Sequence, residues 1–408
     1  MIQTKKSVGQ LWALFTLIFI DSLNYFLVIP VFKRLFFSDP NLLATSTSVG
    51  TRDLLFGIAT LLSPLAFVIF SPLVGHLSDK YGRKNVLIGC LTAAAFGYLL
   101  PIFGILSGKI WLILFGRFIS GASSASQPVA QAAVTDLTTG KEKAIYLAII
   151  GFAMTLAMTI GPLAGSLLSD SHLFSWFNVT TPYWIGLGLS VLNIFLLLIF
   201  FHDTTIRKDV PQKLKDIHLI LRNPTLVLLF VLFFFLELAW SQYYQVLFLY
   251  LPRVYQYDIN KVALYTTYIG IWMSLGLTVF YRWFINHFTL NTFFYISLTL
   301  TAVGFLGCNL ATESHWQWIF VILVAIFTGT TYATLLALLS NHATREHQGL
   351  VLGITSTLLG IAWSITGFTS ATFIQVAVQL PFDVATVSIL IALVLAFYFR
   401  RLKTTNDT

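Results

Sequence analysis

The stretch Gly75-His76-Leu77-Ser78-Asp79-Lys80-Tyr81-Gly82-Arg83-Lys84 lies between two long apolar runs and carries one acid and three bases in its tightest part. A connection this short forces the flanking segments to run antiparallel and side by side. Gly75 is expected to let two backbones approach closely. Gly82 is expected to permit a reversal that a side chain would obstruct. Asp79, Lys80, Arg83 and Lys84 would hold the turn at one face of a bilayer.

Composition supports a bilayer as the solvent. The chain is 57% hydrophobic and 10% charged over 408 residues, too few charges to clothe a soluble surface of that size. Apolar runs of about 20 residues with short polar connections predict membrane helices. The predicted spans are 10–32, 53–75, 84–106, 109–135, 142–168, 181–202, 223–250, 261–283, 287–311, 316–340, 347–376 and 381–400. The run from Leu11 to Phe32 is too long for a signal-peptide core and has no small-residue cleavage site, so it reads as the first span. The fold class is therefore all-α, twelve transmembrane helices in two pseudo-symmetric six-helix bundles. The predicted division is 1–202 for the first bundle, 203–222 for a cytoplasmic linker rich in Arg and Lys, and 223–408 for the second.

A net charge of +8 invites a nucleic-acid reading, but the bases form no single patch. With both termini and the linker placed on the cytoplasmic side, seventeen of the 24 Lys and Arg fall in cytoplasmic segments. That bias sets the orientation and leaves no nucleic-acid partner to expect. Lys141-Glu142-Lys143 after span four and Arg345-Glu346-His347 after span ten are a faint trace of an internal repeat. Tyr281-Arg282-Trp283-Phe284 stands where the second half would repeat the charged turn. Cys90 and Cys308 lie inside apolar runs and read as inert thiols. None of the eight histidines has ligand-like spacing to another His, Cys or carboxylate, so no metal is assigned. No phosphate loop or nucleophile–base set is visible, so the chain does not read as an enzyme and no bound cofactor is expected.

Ionisable residues inside spans need a reason, because each costs roughly 2.5–3.5 kcal/mol at the bilayer centre on insertion scales. Asp21 sits mid-span, with Asn24 and Tyr25 at i+3 and i+4 on the same helix face. It reads either as a proton-binding or substrate-contacting carboxylate on a water-filled cavity, or as a hydrogen-bond anchor to a neighbouring helix. Glu237 occupies the equivalent span of the second half, followed on its face by Trp240, Ser241 and Tyr244. It can take up and release a proton, as proton coupling requires, or remain a neutral hydrogen-bonded acid. Arg117 in span four could neutralise a buried carboxylate, hold an anionic substrate, or reach the outer interface. Gln127 and Gln131 are candidates to line a cavity from the same span.

The charged turn resembles the G-x-L-x-D-[RK]-x-G-R-[RK] loop of the major facilitator superfamily, with every fixed position met. Asp21 followed by Pro30 is similar to the first helix of tetracycline-type drug–proton antiporters. Gly116-Arg117 with Gly121, running to Asp136, is similar to that group's fourth helix. Gly151 followed by Gly161-Pro162-Leu163-Ala164-Gly165 is similar to the antiporter motif of the fifth. The resemblance implies a monomeric, multi-pass transporter of the bacterial inner membrane, driven by the proton gradient and exchanging protons for a small organic molecule. It implies that Arg117 serves coupling, and Glu237 or Asp21 is then expected to load the proton. It also implies that Asp79 caps a helix of the other half, and that Arg83 pairs with Asp136 as a cytoplasmic latch. The fold and its acids would equally serve a proton symporter importing a nutrient. Departures include Asn24, which stands where tetracycline exporters commonly have glycine, and an unusually aromatic span seven.

Overall fold

The computed structural model describes residues 2–39, 41–138, 140–203, 220–343 and 348–406. Most of the expected linker, and Arg345-Glu346-His347, lie outside the described residues, as do the side chains of Lys141, Glu142 and Lys143. All regular structure among the described residues is helical. The helices are α1 (Ile2–Leu27), α2 (Ile29–Phe37), α3 (Val49–Tyr81), α4 (Arg83–Leu106), α5 (Ile110–Ser123), α6 (Ser126–Leu137), α7 (Gly140–Leu168) and α8 (Thr181–Phe200). They continue as α9 (Pro224–Tyr255), α10 (Ile259–Leu275), α11 (Tyr281–His287), α12 (Leu290–Leu310), α13 (Ser314–His342), α14 (Gln348–Val376) and α15 (Leu380–Asn406). Eleven described helical segments are long and apolar enough to cross a membrane.

The twelfth crossing is the predicted fourth span, which is divided between α5 and α6. Ser123 Oγ, Ser124 Oγ and the Ser124 amide all donate to the single carbonyl of Ser120, at 2.7, 3.0 and 3.1 Å. Hydroxyls competing for backbone acceptors loosen a helix. Pro128 then removes the amide that would continue it. The chain answers with a tighter turn, Gln127 N donating to Ser124 O at 3.0 Å, and α6 starts at Ser126. The first span breaks for a related reason. Pro30 cannot donate, so α1 ends at Leu27 and α2 restarts at Ile29.

Packing divides the chain into two units, residues 1–210 with 258–267, and 211–257 with 268–408. In the first unit α1 is the hub. Its Leu14, Leu17 and Ile18 are packed in one core with Leu87, Val134 and Leu197. In the second unit α9 is the hub, packed on α13, α14 and α15. The stretch 258–267, assigned from sequence to the second bundle, packs with the first because Asn260 and Thr267 hydrogen-bond to α7 and its C-terminal loop. Tyr281–Phe284 form no turn. They continue the helix as α11 after a π-helical turn, Gly276–Phe280, and the reversal comes at Phe288 and Thr289.

Candidate functional site

The charged turn is shorter than its sequence motif. α3 runs on to Tyr81 and α4 starts at Arg83, leaving Gly82 alone between them at φ +91°. That backbone conformation favours glycine. A Cβ there would also collide with the Asp203 carboxylate, which accepts from the Lys84 amide at 3.2 Å. Asp203 therefore caps the start of α4, although it lies 119 residues away and carried no signal in the sequence. Lys84 Nζ donates to Leu198 O at 3.0 Å, a second tie between the turn and the end of α8. The expectation for Gly75 fails. It lies within α3, and a Cβ there would meet nothing within 4 Å among the described residues, so it creates no close approach.

Arg83 joins three partners. It pairs with Asp79 at 2.8 Å and with Asp136 at 3.5 Å, and it donates to Ser78 Oγ at 2.6 Å. Asp136 sits in the last turn of α6, so the α5–α6 break and the α3–α4 turn together bring these acids to one guanidinium.

The Gly-Pro motif divides in the same way. Gly161 and Gly165 lie against the α1–α2 break. A Cβ at Gly161 would come within 2.6 Å of Phe26 Cβ, and one at Gly165 would overlap the Leu27 carbonyl. Gly151 faces open space among the described residues and has no such role. α7 continues through Pro162.

The residues read as one face of span one take separate partners inside the first unit. Ser126 Oγ donates to Asp21 Oδ2 at 2.5 Å, across 105 residues of sequence. The Asn24 amide donates to Gly186 O at 3.3 Å and Ser190 Oγ at 3.4 Å, so Asn24 binds α1 to α8 in the bundle interior. It does not present its amide to a cavity, because helix rotation sends i+3 toward a different neighbour than i. The Tyr25 ring lies 5.1 Å from the Arg117 guanidinium, and the Phe32 ring lies 5.1 Å from it too. Arg117 is 2% exposed and donates from Nε to Ala59 O at 3.2 Å. It does not reach the interface, being in the middle of α5 and enclosed by rings. Its Nη2 has no hydrogen-bond partner among the described residues. Gln127 donates to Ser22 Oγ at 3.4 Å, and Gln131 is half-buried one turn further along α6.

In the second unit Glu237 is 3% exposed, and Trp363 of α14 donates its indole N–H to Oε2 at 3.3 Å. Tyr244 lies between two indoles, 5.5 Å from Trp240 and 6.1 Å from Trp363. Ser241 gives its hydroxyl to the Glu237 carbonyl at 2.6 Å, so it serves its own helix. Among the described residues Glu237 is the only fully buried charged side chain of this unit, whereas the first unit buries Asp21, Asp53, Arg117 and Asp170. Neither Trp363 nor Ser126 was singled out from the sequence as the donor to an acid.

Membrane-length helices in two units, acids buried in both and a charged turn at one face define a multi-pass membrane transporter. The chain belongs to the Major Facilitator Superfamily, which it matches over residues 14–367. It is similar to tetracycline resistance protein class D of Salmonella ordonez, 26% identical over 75% of this chain and 76% of that one. It is also similar to the class C protein of Escherichia coli, 23% identical over 89% and 88% of the two chains. Identity to the class H protein of Pasteurella multocida is 33%, over 46% of this chain, and the match spans 43% of that relative's length. The fold is shared with the human organic anion transporter MFSD10 (TETRAN), with TM-score 0.74 and 18% identity over 96% of this chain and 99% of that one.

Proposed function

We propose that this chain is a proton-driven exporter of a small organic molecule in a bacterial inner membrane, working by alternating access with both termini cytoplasmic. The observation that carries the reading is Glu237. An ionised carboxylate buried without a cation costs several kcal/mol. An indole N–H offsets only part of that. The group is therefore suited to alternate between a bound proton and a bound substrate group. Asp21 shares its bundle with the buried Arg117 cation, so that bundle can keep its charges fixed while Glu237 loads and unloads. Linkage then requires proton and substrate to alter each other's binding by the same factor. Arg83, held by Asp79 and Asp136, serves as the cytoplasmic latch, and Asp203 holds the turn that carries it. The tetracycline resistance relatives support export of drug-like molecules, and the aromatic setting of Glu237 suits a flat or amphipathic one.

The test is transport in proteoliposomes carrying an internal pH dye, with an imposed pH gradient and a panel of tetracyclines, other drugs, amino acids and siderophores. A compound that moves against the proton flux supports export. One that moves with protons makes the chain an importing symporter and leaves Gly161 and Gly165 as packing residues.

A further inference from the structure

The connection between α7 and α8 exposes apolar side chains at a face where another connection of the same unit hides them. α3 ends at the charged turn. Asp136, in the last turn of α6, pairs with Arg83 of that turn, so α6 ends and α7 starts at the same face. The start of α3 and the end of α7 are therefore at the opposite face. Residues 38–48 and 169–180 are two of the connections there. The first turns Leu42 and Leu43 inward and exposes Asn41, Thr45, Ser46 and Ser48. The second does the reverse, with Leu173, Phe174 and Trp176 at 50%, 57% and 65% exposure.

These exposed side chains stand on a built loop. Leu173 N donates to Asp170 O at 3.2 Å, and Phe177 N donates to Phe174 O at 2.9 Å, giving two successive turns. Asn178 Oδ1 closes the far end, accepting from the Thr180 amide at 2.8 Å and the Thr180 hydroxyl at 2.7 Å. Phe177 is buried, and its ring stands edge-on to Trp176 at 4.3 Å and to Phe174 at 5.0 Å. The buried ring is a root for the two exposed ones. Rings fixed in this way offer large apolar area and lose little freedom on binding.

Residues 171–180 contain no Lys, Arg, Asp or Glu, so the segment carries no formal charge for a charged partner to read. Exposed apolar residues flank it on both spans, Leu167 near the end of α7 and Trp184 near the start of α8. Lipid covers those flanking residues, because they belong to membrane-crossing helices, and the loop carries the same kind of surface from one span to the next. We propose that Leu173, Phe174 and Trp176 insert into the headgroup–acyl boundary of the leaflet opposite the charged turn and anchor the α7–α8 pair to it. An indole suits that depth, since its ring is apolar and its N–H can bond at the polar edge. The partner is a phospholipid surface without a required headgroup charge, because the segment has no Lys or Arg to select an anionic one. The anchor depends on neither alternating access nor proton coupling.

The test uses the full-length protein in phosphatidylcholine liposomes, with Cys90→Ala and Cys308→Ala and a nitroxide at Ser175→Cys. That site is exposed and leaves all three apolar side chains in place. Power-saturation electron resonance compares collisions with oxygen, which partitions into lipid, and with a water-soluble nickel chelate. Labels at Ser46→Cys and at Leu192→Cys, exposed near the middle of α8, give the water and lipid references. The oxygen-to-nickel ratio at position 175 is expected to lie between the two references, at the depth of about 5–10 Å typical of interfacial side chains. Phe174→Asp combined with Trp176→Asp should bring it to the value at position 46, and a ratio unmoved by that change would overturn the anchoring role. In the otherwise native loop, a ratio equal to that at position 46 would place the segment in water and overturn the proposal. Low collision rates with both reagents would mean that a second copy or another protein covers the loop, and would overturn it too. The part of the fluorescence that Trp176→Phe removes should be quenched more by lipids brominated near the headgroup than by lipids brominated near the chain end. No quenching by either would contradict the anchor.

Discussion

The two units bury their acids in different ways. Asp21 meets the hydroxyl of Ser126, in a bundle that also encloses the Arg117 cation between two rings. Glu237 meets the indole of Trp363, in a unit that fully buries no other charged side chain among the described residues. The helices repeat and the chemistry does not. On the proposed reading the first unit keeps its charges as scaffolding, whereas the second holds the one acid whose charge is offset by something that comes and goes.

The sharpest way to break this comparison is to neutralise each acid in turn. Glu237→Gln is expected to abolish uphill, gradient-driven transport while retaining some exchange. Asp21→Asn is expected to lower the rate and leave coupling intact. Full pH-driven transport in both variants, measured in proteoliposomes, would remove the coupling assignment altogether.

If the first unit is the fixed partner, its packing should tolerate little. Gly165→Ala places a methyl group on the Leu27 carbonyl, and overpacking of that kind costs about 1–3 kcal/mol. Gly151→Ala enters open space and should stay within about 0.5 kcal/mol of wild type. Thermal unfolding in detergent compares the two, and equal losses would mean that the α1–α2 break is not held by α7.

The donors to the acids offer a finer contrast. Ser126→Ala leaves a buried carboxyl oxygen without its hydroxyl, and Trp363→Phe keeps the ring and deletes the N–H. Each should cost roughly 1–3 kcal/mol. The Ser126 change should appear as lost stability. The Trp363 change should appear chiefly as lost transport, because it acts on the group that cycles.

The smallest effect concerns pH at the face opposite the charged turn. Asp170 lies beyond the end of α7, and its carboxyl is held down to about 2, first by the Asn260 amide, then by the His172 backbone and Arg34, against the opposing effect of burial. A carboxyl lowered by folding stabilises above its ordinary range, near 4, and loses that contribution as pH falls toward about 2. Hydrogen exchange at residues 258–267 should therefore show no added opening from Asp170 titration between neutral pH and about 5, and increased opening below about 4. On the proposed reading Asp170 would stay charged while Glu237 exchanges its proton.

Much of this architecture is legible in the sequence. Hydropathy gives the spans, the motif gives the charged turn, and the cost of charge in a bilayer points to Asp21, Arg117 and Glu237. Resemblance alone supplied the pairing of Arg83 with Asp136, which the side chains make. The partners were not legible. Ser126, Trp363, Asp203 and Asn260 meet residues between 90 and 126 positions away. Which side chain faces which depends on helix rotation, and each residue turns the helix by about 100°. Asn24 shows the consequence, sharing a face with Asp21 by spacing yet bonding to a different helix. The α5–α6 break did have a signal, the run Ser123-Ser124-Ala125-Ser126-Gln127-Pro128, but its apolar flanks hid it in a hydropathy count.

The most direct test of the uneven division between the units needs no known substrate. Infrared difference spectra of the protein in liposomes, recorded through a pH titration, report the protonated carboxyl band of buried acids. A titrating band is expected to persist in Asp21→Asn and to disappear in Glu237→Gln. A band that survives Glu237→Gln and is lost in Asp21→Asn would place the exchanging proton in the first unit and contradict that division.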